Sequence, residues 1–117
     1  MKLIWTEIRS TEEVLSIIEK SFSCPCLIFK HSTRCEISAM AKYRLESDWS
    51  FENSTIQPYF LDLLAHREVS RFIAEKFSVH HESPQALIIV NGECVFDASH
   101  LDISVAEIQE SLSVELK

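Results

Sequence analysis

The sequence predicts an α/β fold: a central mixed sheet of four to five strands flanked by helices on both faces. Three observations carry this. Strand-like and helix-like stretches alternate along most of the chain. Two Ser-x-x-Glu pairs, Ser10 with Glu13 and Ser104 with Glu107, mark helix starts. A late Asn91-Gly92 between apolar runs marks a hairpin.

Each element follows in order. Residues 3–8 read as a short strand. Ser10 and Glu13 open a helix with Val14, Leu15, Ile18 and Phe22 on an apolar face. Residues 24–29 form a compact apolar run, expected as a buried strand. A second helix begins near Cys35, lined by Ile37, Met40, Ala41 and Leu45, and fades into the polar stretch 47–50. Residues 55–63 are a further strand, followed by a helix carrying Val69, Phe72, Ile73 and Phe77. A loop around Pro84 leads to an aliphatic strand, 86–90, which the hairpin joins to an antiparallel partner, 94–97. Ser104 and Glu107 open a last helix bearing Val105, Ile108 and Leu112. The order is β-α-β-α-β-α-β-β-α, with no repeat and no linker, so one domain is expected over residues 1–117.

Composition excludes several functions. A net charge of −7 repels phosphate and anionic lipid, which argues against general nucleic-acid binding and against a membrane surface. The first ten residues do not form a signal peptide, and no apolar run approaches membrane-spanning length. A bacterial or general cytosolic location, cytoplasmic in either case, is therefore expected, where four cysteines suggest chemistry, metal or burial before a disulfide framework.

Cys35 is the leading candidate for chemistry. A strand that ends in a bend and feeds a helix places a thiol at the sheet rim, beside unpaired backbone N–H groups that favour an anion. Thr33-x-x-Glu36 is a further capping candidate, and Lys30, His31 and Arg34 add positive charge nearby. Glu36 opposes them if it points at the sulfur. The competing reading, a small inert buried cysteine, stands beside this one on position alone. Pro84, after Ser83, opens a strand, where proline is tolerated without any functional reason. Cys24-Pro25-Cys26 tempts a metal reading, but its spacing lacks a second ligand pair, so no metal is expected and packing is preferred, as for Cys94. Cys26 or Cys94 is still open as a resolving partner. His80-His81 read as a solvated loop, and Trp5 and Trp49 as packing. Asp62 lies in an apolar strand pattern, buried or turned outward at the strand end.

These segments carry a resemblance. LIFKHSTRCEIS at 27–38 and SPQALIIVNGE at 83–93 resemble the active-site strand, loop and helix start, and the cis-proline, strand and hairpin, of the thioredoxin-like superfamily. More closely, FKHSTRCEIS at 29–38, LDLLAHREVSRFIAEKF at 61–77 and HESPQ at 81–85 resemble the YtxJ-like monothiol bacilliredoxins. The resemblance implies a thioredoxin-like fold, Cys35 as nucleophile, Ser38 at the resolving-cysteine position, and a cis Pro84 near the sulfur. Phe29 stands where thioredoxin has a buried carboxylate, His31 where it has tryptophan, and Glu36 where bacilliredoxins commonly have proline. DASHLD at 97–102 replaces the Gly-Gly of glutaredoxins.

The implied activity is removal of bacillithiol, a small thiol bearing a dicarboxylated malate group, from mixed disulfides on cytosolic proteins during stress. No bound cofactor is implied; bacillithiol or another small thiol is co-substrate, and S-thiolated proteins are the partners. Lys30, His31 and Arg34 are expected to meet the carboxylates, with His80 or His81 near them. Two alternatives are a non-catalytic interaction or thiol-sensor module, and a glutaredoxin-like enzyme using another small thiol.

Overall fold

The structure, a computed structural model, describes residues 2–52 and 54–115. The elements are β1 (Thr6–Glu7), α1 (Thr11–Lys20), β2 (Cys26–His31), α2 (Glu36–Asp48), β3 (Gln57–Asp62), α3 (Arg67–Lys76), β4 (Gln85–Val90), β5 (Glu93–Ser99), a 3₁₀ turn (His100–Asp102) and α4 (Val105–Glu115). The five strands lie in the order β1-β3-β2-β4-β5. β1 and β2 run parallel to β3, while β4 is antiparallel to both β2 and β5. The predicted α/β class, mixed sheet and flanking helices are all present.

Strand alternation divides the core. Leu27, Phe29, Ala86 and Ile88 pack with α2 and α4 on one face of the sheet. Cys26, Ile28, Leu61, Leu87 and Ile89 pack with α1 and α3 on the other. The central strand β2 is buried along its whole length, so it reads as an apolar run rather than an alternation.

Both serine caps form. Ser10 Oγ accepts the Glu13 N–H and Ser104 Oγ accepts the Glu107 N–H, each at 3.2 Å. Glu13 reaches back past the cap to the Arg9 N–H at 2.8 Å. At the hairpin, Asn91 and Gly92 have φ of 52° and 81°, the left-handed pair that a tight two-residue turn requires. A side chain at Gly92 would also meet Phe22, whose Cζ lies 3.1 Å from the Cβ position. The turn is tied to the end of α1 through Gly92 N–H donating to Ser21 Oγ at 2.8 Å.

Several expectations are corrected. β1 is two residues long, because only Thr6 and Glu7 pair fully with β3. The buried side of α1 is Val14 and Ile17; Leu15 faces solvent, and Phe22 lies beyond the helix over the hairpin. In α2 the buried residues are Ser38, Ala41 and Leu45, while Ile37 and Met40 are exposed. β2 starts at Cys26, later than expected, and runs on through Lys30 and His31. Asp62 is partly buried, and its Oδ1 accepts the Leu64 and Ala65 N–H groups in the turn after β3. Among the described residues no helix is long and apolar enough to cross a membrane.

Candidate active site

The end of β2 feeds the site. Ser32, Thr33 and Arg34 form the bend, Cys35 is the N-cap of α2, and Glu36 is the first helical residue. The Cys35 N–H donates to the Ser32 carbonyl at 3.2 Å, which tethers the residue at the rim of the sheet. Its side chain makes no capping bond and is partly exposed. Thr33 is not a cap: the helix starts too late for it, and both Thr33 and Glu36 are exposed. Arg34, next to Cys35 in the chain, is exposed.

The start of β4 reaches the same edge, since Lys30 on β2 pairs with Gln85 on β4. The preceding Ser83–Pro84 bond is cis, with Pro84 buried and Ser83 partly so. The Pro84 carbonyl accepts the His100 N–H at 3.1 Å, linking this loop to the end of β5.

Ser38 is fully buried, and its Oγ accepts the Ser32 N–H at 3.0 Å. His31 Nδ1 lies 2.6 Å from the same oxygen. The Ser38 hydroxyl therefore holds the bend. Burial, followed by Lys42, pushes the His31 pKa down against the pull of Asp62 and Glu46, which favours neutral imidazole. The His31 ring stacks on Phe29 and tilts against Phe60. Behind it, Glu46 accepts bonds from Trp5 Nε1 and Lys42 Nζ, each at 2.7 Å. Burial raises the Glu46 pKa, but the bonds from Lys42 and Trp5 outweigh it and leave the carboxyl below its usual range. Ser38→Ala should cost about 2 kcal/mol in urea denaturation, because a buried imidazole and a partly buried N–H lose their shared partner. A loss no larger than that of an exposed serine would remove this account.

Two of the expected supporting cations are elsewhere. Lys30 is fully buried and points to the α1/α3 face, opposite His31, because neighbours on a strand alternate. Its Nζ donates to the Ser70 carbonyl at 3.0 Å and lies 3.3 Å from His81 Nδ1. Burial brings its pKa from 10.5 down to about 8. His31 is buried as well, so neither residue presents its charge to a ligand at Cys35. His81 titrates below its ordinary value through burial, then Lys30.

The other cysteines lie at the far end. Cys26 opens β2, five residues before His31, a span of roughly 16 Å. Cys94 pairs with Ile89, and Ile89 with Cys26, so Cys94 shares that far end. Disulfides need Cα atoms within about 7 Å, which excludes Cys24, Cys26 and Cys94 as resolving partners for Cys35 without large rearrangement. All four thiols are free.

The profile of the family described as monothiol bacilliredoxin BrxC matches residues 6–108. The chain belongs to the monothiol bacilliredoxin family. A solved structure described as a candidate oxidoreductase with a thioredoxin fold is 32% identical to this bacilliredoxin, covering 92% of this chain and 93% of that one, at a TM-score of 0.81. Thioredoxin from Trypanosoma brucei brucei is 15% identical, covering 97% and 91% of the two chains at 0.74. Thioredoxin of Malassezia sympodialis is 13% identical, covering 97% and 96% at 0.72. The last two show the fold alone. Family and fold together support a thiol oxidoreductase role.

Sequence reasoning missed Ser70, whose carbonyl receives Lys30, and the Trp5–Glu46–Lys42 cluster behind His31. No local motif announces either one, since both join residues distant in sequence.

Proposed function

We propose that this bacilliredoxin removes bacillithiol from mixed disulfides on cytosolic proteins, with Cys35 as the nucleophile. The Cys35 thiolate attacks the small thiol's sulfur; a new S–S bond forms as the old one breaks, and the protein leaves as a thiolate that takes a proton. Cys35 then carries the small thiol. A second free small thiol attacks that sulfur, restores Cys35, and leaves as the oxidised small-thiol dimer. Arg34, the chain neighbour of Cys35, is exposed, and the cis Ser83–Pro84 bond precedes β4, whose start pairs with the end of β2.

The observation that carries this reading is the site's thiol content. One cysteine sits at the α2 N-cap, a serine hydroxyl already bonded to Ser32 and near His31 occupies the resolving position, and the other cysteines are at the far end. Intact mass after exposure to oxidised bacillithiol, glutathione or cystine tests it. The expected result is one adduct, fastest with bacillithiol, released by free bacillithiol. Faster uptake from another thiol would favour the glutaredoxin-like reading. An adduct that no small thiol releases would favour a sensor.

A further inference from the structure

On the α3 side of the sheet, a cavity of about 300 Å³ is lined by Leu63, Arg67, Ser70, Arg71, Ala74 and His81. Its volume is at the small end of ligand pockets. Four of the residues, Arg67, Ser70, Arg71 and Ala74, share one face of α3 at three- and four-residue spacing. The chain carries 18 acidic residues against 11 Lys and Arg, yet every charged or titratable group lining this cavity is basic. Among the described residues neither Arg67 nor Arg71 forms an ion pair. Lys30 Nζ stands behind the wall, bonded to the Ser70 carbonyl and close to His81, so a buried amine adds to the same field. Gln85, the ladder neighbour of Lys30, is buried with its Oε1 unpartnered, a second polar group on this side of the sheet with capacity to spare.

The chain brings two of the lining residues, Arg67 and His81, toward the end of the sheet from which β2 leads to Cys35. His81 is three residues before Pro84, and the β4 strand that follows pairs with β2 where the chain turns to Cys35. Arg67 opens α3 just after β3, whose end pairs with the end of β2.

We propose that this cavity receives the carboxylate end of the small thiol while its sulfur is joined to Cys35. The two guanidinium groups supply forked donors to carboxylate oxygens, and Leu63 and Ala74 supply an apolar wall for the short carbon chain between them. The proposal rests on the small-thiol reading above, and it moves carboxylate recognition from Lys30 and His31, which are buried, to α3.

Two measurements separate the claims. The first is nuclear magnetic resonance titration of Cys35→Ser with malate, which needs no redox turnover. The backbone amides of Arg67, Ser70, Arg71 and His81 should shift, and R67A/R71A in the same background should lose the response. Absence of shifts there overturns the proposal whatever the enzyme does. The second is the rate of reduction of peptide mixed disulfides carrying a dicarboxylated thiol or neutral mercaptoethanol. The ratio of the two rates should fall about tenfold in R67A/R71A, the scale of one charge-assisted contact. A ratio unchanged there but lowered in Arg34→Ala overturns the cavity and leaves the small-thiol reading standing. Failure of the wild-type protein to reduce either disulfide sinks that reading, while the malate titration still decides whether the cavity binds carboxylates.

Discussion

Cys35→Ser should lower mixed-disulfide reduction by at least about a thousandfold, the scale expected when a covalent nucleophile is lost. The companion variant, with Cys24, Cys26 and Cys94 all replaced by alanine, should retain most of the rate. Two independent facts support the contrast. Distance is the first: Cys26 and Cys94 lie at the opposite end of the sheet from the α2 N-cap, and Cys24 precedes β2 there. Ionisation is the second. Burial, with Cys24 adding to it, raises Cys26 to about 12. Burial raises Cys94 to about 11, despite the Phe96 backbone contact and with help from Asp97. At pH 7 roughly one Cys94 thiol in ten thousand is ionised, and fewer at Cys26, so neither competes as a nucleophile. The assay is release of the small thiol under steady-state conditions, with circular dichroism to confirm folding. Substantial turnover by the serine variant would transfer the chemistry to another thiol. Loss of turnover in the folded triple-alanine variant would mean that the distant cysteines take part.

Much of this arrangement was legible in the sequence, and the parts that were not share a physical cause. Local signals worked where the determinant is local. Ser10 and Ser104 cap helices because their hydroxyls reach N–H groups three residues on, and Asn91-Gly92 turns because both residues accept positive φ. The thiol's place at the start of α2 was legible for the same reason. Thr33 failed as a cap because Ser-x-x-Glu spacing does not distinguish a helix that starts at Glu36 from one two residues earlier. Lys30 was misread for a deeper reason. A lysine at the end of an apolar run is ordinarily taken as the point where the strand meets water. Here β2 continues through it, and α3 supplies a backbone carbonyl from 40 residues away. Ile37 and Met40 were misread in the mirror sense, since hydrophobic character put them inside while the buried stripe of α2 starts from a serine. The stripe becomes intelligible once Ser38 is seen to satisfy His31 and Ser32, partners fixed by the bend and not by helical periodicity.

Lys30→Met should change how stability depends on pH more than any other single substitution at this edge. Lys30 is fully buried, and its neighbours are the Ser70 carbonyl and His81 rather than a carboxylate. Burial lowers its pKa from 10.5 to about 8. Below about pH 8 the amine is charged in both folded and unfolded chains, and the folded chain bears the full cost of holding it out of water. Between about 8 and 10.5 the folded chain has released the proton while the unfolded chain still holds it, so stability rises with pH. The total rise is about 3 kcal/mol. The wild-type curve alone would hide it, because Cys26 and Cys94 act in the opposite direction. Their folded pKa values lie above the ordinary 9.0, so the unfolded chain loses those protons first and stability falls as pH rises past about 9. The difference between wild type and Lys30→Met cancels the cysteines and isolates the amine. Methionine keeps the length and removes the charge, so wild type should gain about 3 kcal/mol relative to the variant between pH 7.5 and 10.5. Urea denaturation at four or five pH values measures it, and a constant difference would mean that the amine keeps its proton in the folded chain. The lost bonds to Ser70 and His81 set only a pH-independent offset. A buried amine that costs stability near neutral pH while joining β2 to α3 and to the approach to Pro84 is better explained by what it positions than by what it stabilises.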